Sequence, residues 1–271
     1  MEYFTKKALE QGPWSVSKAK TAIQCPWKYT KQYVEKFDVP ADMLPDISDT
    51  SLRVGSAVHK YAEEIACGTD TGIAEEMALE AGRLSNAEEE TFATMLDNVH
   101  SFEERIDAFK DKYAITGDYK ERKFGVTPDL VETSFFAKDV FLRGVMDRTL
   151  IVSNKHAIII DIKTGSFPSL KYSEEQISAY SLLALRCFPD LVSVKPALYF
   201  VPAGRLLWAE KVYRKDIEDL ASYPTVKYIN QAAEEAVTDR ITPGKYCGWC
   251  PYKMVCLQER KERRARKRGS K

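Results

Sequence analysis

The chain has 271 residues, of which 44% are hydrophobic and 11% aromatic, and its 40 basic and 40 acidic side chains give a net charge of zero. These values allow one large or two small globular domains with a sizeable core. Zero net charge argues against a histone-like coating of nucleic acid, but it permits a basic groove beside an acidic site. No apolar run is long enough to cross a bilayer, and residues 1–11 lack a signal-peptide core. We therefore expect a cytoplasmic protein that makes no membrane contact.

The first half of the chain is predicted to be mainly helical. Ser17 is a suitable N-cap for a first helix, a loop with two prolines follows over 38–51, and a second helix begins near Leu52 and runs through Ile65. Residues 70–115 continue with apolar residues at helical spacing. Gly55 and His59 share one face of the second helix because they are four residues apart. A single histidine is more often structural than a metal ligand, so this pattern alone leaves the role of His59 open.

Strands are predicted from Tyr119 onward. The strand segments are 119–126, 131–136, two strands within 141–165 that are joined by a polar turn at 153–155, and then 194–201 and 205–213. A helix over 173–188 carries a capping-box pattern at Ser173 and Gln176. A further helix is predicted over 214–237, kinked or broken at Pro224. The order strand, strand, helix, strand around 141–201 indicates a mixed sheet with a crossover helix.

The stretch 141–165 concentrates the chemistry. Asp147 comes from its first strand and Asp161 from its second, and Lys163 follows Asp161 by two residues, so the last two side chains share a strand face. Two acids and an amine at one place are costly unless a cation lies between the acids. This arrangement favours a metal-dependent phosphodiesterase, although a plain salt bridge could also explain Lys163. Glu121 could point toward the same place, but a charged residue at a strand start is usually solvated.

Six cysteines in a chain of this kind are expected to be ligands or buried thiols before disulfides. Three of them form a C-x2-C-x5-C pattern: Cys247, Cys250 and Cys256. For a fourth ligand, Cys67 fits a helix end and Cys187 fits a core position, whereas Cys25 is followed by Pro26 and Trp27 in a context like that of the other three. Cys25 is therefore selected. The spacing leaves zinc and an iron–sulfur cluster equally open.

An ordered set of motifs now resembles a known family. The set comprises His59 on a helix, G-x-x-D at 144–147, D-x-K at 161–163, Q-x-x-x-Y at 176–180, and one early and three late cysteines. It resembles the RecB-like branch of the PD-(D/E)xK nucleases, most closely its iron–sulfur members, the AddB nuclease domain and the CRISPR-adaptation-type exonucleases. Pro128 and Asp129 spell a literal "PD", but Asp129 follows a turn whereas Asp147 ends a hydrophobic strand, so Asp147 is assigned to the motif.

The resemblance implies an α/β (mixed α+β) fold of the restriction-endonuclease type, with a mixed central sheet flanked by helices, a helical N-terminal region and a C-terminal iron–sulfur segment. The predicted organisation is one nuclease domain over 1–259, followed by a basic tail over 260–271. Within the domain, a helical part spans 14–115, a catalytic core spans 118–213, and a C-terminal helix and cysteine segment spans 214–259. The tail is expected either to contact nucleic acid or to be a disordered solubilising end.

The resemblance also implies the site. Its catalytic residues would be Asp147, Asp161, Lys163, Gln176 and Tyr180. One or two Mg2+ or Mn2+ ions would be held by His59, Asp147, Asp161 and the carbonyl of Ile162. A [4Fe-4S] cluster would be held by Cys25, Cys247, Cys250 and Cys256, with structural zinc as the alternative.

The implied activity is that of a metal-dependent exonuclease on single-stranded DNA or frayed DNA ends, in recombination, repair or CRISPR adaptation. The alternative is a catalytically inactive, metal-stapled DNA-binding or adaptor protein, against which the intact D-x-K and Q-x-x-x-Y motifs argue. No Gly-rich phosphate loop of an ATP motor is present, so a helicase or recombination protein would be a separate partner, although no residue points to it. A compact nuclease of this kind also suits a phage, and nothing in the sequence decides the oligomeric state.

Overall fold

The computed structural model describes residues 3–43 and 50–269. Within these residues, seven strands form one mixed sheet: β1 Ile115–Val126, β2 Glu132–Thr133, β3 Leu142–Val152, β4 His156–Lys163, β5 Ser193–Phe200, β6 Arg205–Trp208 and β7 Val212–Tyr213. The strand order is β2-β1-β3-β4-β5-β6, with β7 pairing the start of β5. Only β4 and β5 pair in parallel among these strands. A parallel pair needs a crossover connection, and a helix provides it here.

Helices cover both faces of the sheet. They are α1 Lys6–Glu10, α2 Val16–Gln24, α3 Pro26–Tyr29, α4 Thr50–Ala66, α5 Thr71–Gly82, α6 Asn86–Ala93, α7 Leu96–Lys112, α8 Glu174–Cys187, α9 Pro224–Ala236 and α10 Lys253–Gly269. The helix α8 is the crossover between β4 and β5. This mixed sheet flanked by helices confirms the predicted restriction-endonuclease-like α/β fold class.

The alternation along β4 divides the core in two. Ile160 and Ile162 pack with α4 to α7 on one face, whereas Ala157 and Ile159 pack with α1, α2, α8 and α9 on the other. A strand that is buried on both faces is nearly continuous in hydrophobic residues. Asp161 therefore sits as a carboxylate inside an otherwise apolar strand, and it is 5% exposed. Of the helices in the described ranges, none is long and apolar enough to cross a membrane.

Several predicted boundaries are wrong. The helix α2 begins at Val16, because Ser15 rather than Ser17 is its N-cap and accepts a hydrogen bond from the amide of Lys18. Of the predicted strand 131–136, only Glu132–Thr133 pairs with β1, since a turn closes from Ser134 to Ala137.

Two proline positions explain further differences. The predicted strand 205–213 is split into β6 and β7 opposite Pro196, which has no N–H to donate to the ladder. Residues 214–222 form short 3-10 turns instead of a helix, and α9 starts at Pro224, where a proline fits the first helical turn. Of the predicted basic tail 260–271, residues 260–269 continue α10, and 270–271 lie outside the described residues.

Candidate active site

The two predicted aspartates lie where β3 and β4 separate. The paired ladder of these strands ends at Arg148 and Ile160, so Asp147 and Asp161 occupy the next register position, just beyond the last pair. The amide of Ile162, which no longer bonds to the β3 backbone there, donates instead to Oδ2 of Asp147 at 2.5 Å. The diverging strands therefore bring the two carboxylates together and fix the peptide that joins Asp161 to Ile162.

The D-x-K and Q-x-x-x-Y motifs meet in one hydrogen-bonded network. The Lys163 ammonium lies 2.6 Å from Oδ2 of Asp161 and donates to Oε1 of Gln176 at 2.7 Å. The Gln176 amide nitrogen donates to Oδ1 of Asp161 at 2.7 Å and to the Tyr180 hydroxyl at 2.9 Å. Gln176 thus holds both charged groups at once. The capping-box prediction for Ser173 and Gln176 is wrong, because the Gln176 side chain faces Asp161 and the Ser173 hydroxyl makes no cap hydrogen bond.

His59 lies beside the first aspartate, as the family resemblance implies. Its Nδ1 is 3.3 Å from Oδ1 of Asp147. Glu121 joins them, since one ligand atom from each of His59, Glu121 and Asp147 lies within 4.8 Å of the other two. An imidazole and two carboxylates at this separation could hold a metal ion together. The imidazole comes from α4, and the two acids come from neighbouring strands.

Glu121 was expected from its position at a strand start to be solvated, but it lies with His59 and Asp147. The pairing of β1 with β3 runs through Lys120–Arg148 and Arg122–Met146 but omits the position between them, where Glu121 faces Asp147. Glu121 has a φ of 45°, a left-handed conformation that costs a non-glycine residue about 1–3 kcal/mol. The only sequence signal was its place in a strand, because the β1–β3 register cannot be read from spacing.

Burial and mutual repulsion perturb the ionisation of these groups. Burial and then the charge of Asp147 raise the pKa of Asp161, and the same two causes raise the pKa of Glu121. Burial lowers the pKa of His59, but the hydrogen bond and charge of Asp147 outweigh it, so the pKa is raised to about 9. The pKa of Tyr180 is raised by burial and then by Asp161, so this phenol keeps its proton. Crowded carboxylates of this kind favour a cation among them.

Gly144 of the G-x-x-D motif permits a close approach of α8. A Cβ at this position would lie 3.0 Å from Cε1 of Tyr180 and 3.1 Å from Cδ1 of Leu183. Both contacts are tighter than side chains normally accept, so a larger residue would push α8 away from β3. The glycine therefore sets the distance from which Gln176 and Tyr180 reach the aspartates.

The four cysteines selected from the sequence line one cavity of about 360 Å³. Cys25 ends α2, Cys247 and Cys250 belong to a short turn, and Cys256 lies in α10. Burial raises the pKa of Cys256 to about 11, and Cys25 adds to the effect. Among the described residues, no three of these sulfur atoms lie within 4.8 Å of one another.

The two other cysteines lie elsewhere. Cys67 is exposed directly after α4, and Cys187 is buried in the core near the carbonyl of Gly125. Neither lines the cysteine cavity. The four cysteines of the prediction therefore line one cavity, and these two do not.

Two aspartates on neighbouring strands, a lysine and a histidine from a helix thus lie close together on this fold. The family model described as "PD-(D/E)XK nuclease superfamily" matches residues 13–257, and the chain belongs to this superfamily. The match spans every site residue discussed above.

Solved structures give weaker similarity. The chain is similar to a protein from Eubacterium rectale described as "Putative exonuclease", at 12% identity over 88% of this chain and 92% of that chain, with a TM-score of 0.46. It is also similar to the protein SSO0001, at 14% identity over 85% and 93% of the two chains, with a TM-score of 0.36. No curated protein matches the sequence.

Proposed function

We propose that this protein is a metal-dependent deoxyribonuclease of the RecB-like, iron–sulfur branch of its superfamily. It would act as an exonuclease on single-stranded DNA or frayed DNA ends, in recombination, repair or CRISPR adaptation. One observation carries the proposal: Asp147 and Asp161 are adjacent carboxylates, and Gln176 holds Lys163 against the second of them. A structural salt bridge would need only one acid and would not need a second acid, a histidine and a glutamine at the same place.

The donor set fits Mg2+ or Mn2+. The carboxylates of Asp147 and Glu121 are hard oxygen ligands, and the imidazole of His59 suits Mn2+ as a nitrogen ligand. Asp161, whose oxygens face Lys163 and Gln176, is proposed as a further ligand. The Ile162 carbonyl is proposed as a further ligand, because the hydrogen bond from the Ile162 amide to Asp147 holds this residue beside the carboxylates. When bound, such an ion lowers the pKa of a coordinated water and polarises the scissile phosphate.

The chain's own residues prepare the site for this chemistry. Lys163 presents an ammonium that can donate to a phosphate oxygen and offset the charge that develops on phosphorus. Gln176 fixes the direction of that ammonium and of the Asp161 carboxylate, because it bonds to both. Tyr180 in turn fixes the Gln176 amide. Lys163 is therefore proposed as the group that contacts the substrate, and Gln176 and Tyr180 as positioning residues.

We also propose that the four cysteines hold a structural [4Fe-4S] cluster, with zinc as the alternative. Their common cavity supports a shared group. A brown protein with iron and sulfide after anaerobic purification is expected, and a colourless protein with stoichiometric zinc would overturn the cluster.

The cysteine cavity also supports a single nuclease domain over 1–259. Cys25 from the N-terminal region and Cys256 from the C-terminal region line the same space, so the two ends of the domain would be held together there. DNA is the proposed partner, and a helicase or recombination protein would supply any strand separation.

The proposed activity is tested with end-labelled single-stranded, double-stranded and circular DNA in the presence of Mg2+. Asp161→Ala and Lys163→Ala are expected to abolish cleavage while thermal unfolding stays close to that of the wild type. Asp190→Ala, at an exposed turn after α8, is the matched control and should cleave normally. Undiminished cleavage by both site variants would remove the proposed site. Rapid cutting of the circle would replace the exonuclease by an endonuclease.

A further inference from the structure

A cavity of about 500 Å³ opens beside the candidate active site, on the side away from His59 and Glu121. Lys163, Gln176 and Tyr180 form one of its walls. The remaining polar lining has no role in the mechanism above: Ser15, Ser17, Lys20, Arg143, Ser173 and Glu175. The inference drawn from this cavity rests on the proposed nuclease function and concerns how the DNA strand is held.

Two helices begin at this cavity. Ser15 is the N-cap of α2, which has 9 residues, and Ser173 is the N-cap of α8, which has 14. Each helix N-terminus carries a partial positive charge that attracts anions. In α2 the Lys18 amide is already capped by the Ser15 hydroxyl. Ser173 lines the cavity and is 8% exposed as a residue, and its hydroxyl caps no amide of α8. An anion in the cavity could accept a hydrogen bond from this hydroxyl.

The charged side chains of the cavity favour the same ligand. Within the described ranges, no acidic side chain lies within ion-pair distance of the Arg143 guanidinium, which donates to the Phe135 carbonyl at 3.4 Å. Lys20 adds a second cation at the exposed rim, and Glu175 is the acidic member of the lining. Behind the cavity, burial and then the charge of Arg143 lower the pKa of Lys18 to about 8. Clustered cations of this kind bind an anion favourably.

An aromatic ring completes the cavity. The Phe135 ring centroid lies 4.8 Å from the Arg143 guanidinium, and Phe135 lines the cavity. Single-stranded nucleic acid is bound by pairing a positively charged track for the backbone with aromatic rings for the bases. A phosphate between Arg143 and the helix N-termini would leave its neighbouring base within reach of Phe135.

We propose that this cavity binds the DNA phosphate next to the one that is cleaved, with the adjoining base against Phe135. Because Lys163 belongs both to the cavity and to the catalytic network, the two phosphates are neighbours along the strand. The bound group is either the phosphomonoester at a strand end or an internal phosphodiester. In the first case the cavity selects DNA ends, and in the second it holds a passing strand.

The test measures equilibrium binding of thymidine hexanucleotides by calorimetry in EDTA, where no cleavage occurs. The hexanucleotides carry a 5′-phosphate, a 3′-phosphate or free hydroxyls, and a further one has uncharged methylphosphonate linkages. Arg143→Gln is expected to weaken binding about tenfold and to reduce the slope of log K against log salt by about 0.7, the value for one phosphate contact on a single strand. Lys20→Gln should act in the same direction, and Arg205→Gln on the exposed β6 is the matched control.

The probes distinguish the two sources of phosphate. If the cavity selects ends, the wild type prefers one phosphorylated end and Arg143→Gln abolishes that preference. If it holds an internal diester, the methylphosphonate probe binds weakly to the wild type, and Arg143→Gln reduces the difference between the charged and uncharged probes. The proposal is overturned if Arg143→Gln and Lys20→Gln both bind the hexanucleotides as tightly as Arg205→Gln does. If Arg143→Gln fails to fold, Lys20→Gln still tests the proposal, because Lys20 is exposed and its replacement should not disturb the fold. Failure of the nuclease function would appear separately, as absence of Mg2+-dependent cleavage by the wild type.

Discussion

Replacing Gln176 tests the central link of the active-site network. Its amide makes three side-chain hydrogen bonds, to Asp161, Lys163 and Tyr180, at 2.7, 2.7 and 2.9 Å. Gln176→Ala removes all three but leaves the direct contact of Lys163 with Asp161 at 2.6 Å. The charged groups would therefore stay together while losing the partner that fixes their direction.

The size of the effect follows from the bonds that are lost. Two of them involve a charged group and are worth about 1.5–3 kcal/mol each. Because the direct Lys163–Asp161 contact remains, we take the lower limit, about 3 kcal/mol in total, which corresponds to roughly a hundredfold lower kcat. Tyr180→Phe removes one neutral bond, worth about 0.5–1.5 kcal/mol, and should reduce kcat by less than about tenfold.

The assay is the initial rate of cleavage of end-labelled single-stranded DNA at saturating Mg2+, with thermal unfolding as the control for the fold. Gln176→Glu keeps the size of the side chain but would place a carboxylate against Asp161, so it should lose at least as much activity as Gln176→Ala. A kcat of Gln176→Ala within threefold of the wild type would refute the positioning role. So would a larger loss in Tyr180→Phe than in Gln176→Ala.

Three further predictions concern neighbouring features. Glu121→Gln should raise the Mg2+ concentration for half-maximal cleavage about tenfold, because a neutral amide binds the ion more weakly, and an unchanged metal titration would exclude Glu121 as a ligand. Gly144→Ala should destabilise the fold by about 1–3 kcal/mol and lower cleavage, because its Cβ crowds Tyr180; an unchanged melting temperature would contradict this. The hydrogen bond from Arg53 and then that from the Ser85 amide lower the pKa of Glu88 from 4.5 to about 2, so its stabilisation is present above pH 4.5 and is lost as pH falls toward 2. In urea unfolding, Glu88→Gln should therefore be less stable than the wild type at pH 7 but nearly equal to it near pH 2, and a constant difference would contradict this linkage.

Local patterns carried much of the prediction. The hairpin of β3 and β4 is marked by two apolar strands and a polar turn, and its acids interrupt runs that are otherwise buried. These signals lie within 25 consecutive residues, so no long-range pairing had to be known. The same holds for the helix α8, whose apolar spacing predicts its extent.

Some contacts between distant segments could not be predicted from local patterns. Glu121 reaches Asp147 only because of the β1–β3 register, which no local spacing encodes. Gln176 fits a capping box in sequence, but the buried Asp161 offers its amide a charged acceptor, and that stronger bond decides its direction. The role of Ser15 at a shared cavity with Ser173 likewise requires two helices that are far apart in the chain.

The helix α2 connects the cavity beside the active site with the cysteine cavity. Ser15, at the start of the helix, lines the proposed phosphate-binding cavity. Cys25, at its end, lines the cysteine cavity. Nine residues at 1.5 Å each make a helix of about 14 Å between the two cavities. We expect a shift of Cys25 at one end of this helix to displace Ser15 at the other. Cys250→Ser changes no residue that lines the cavity beside the active site. We nevertheless expect it to weaken hexanucleotide binding in EDTA, so that DNA binding would depend on intact cysteines.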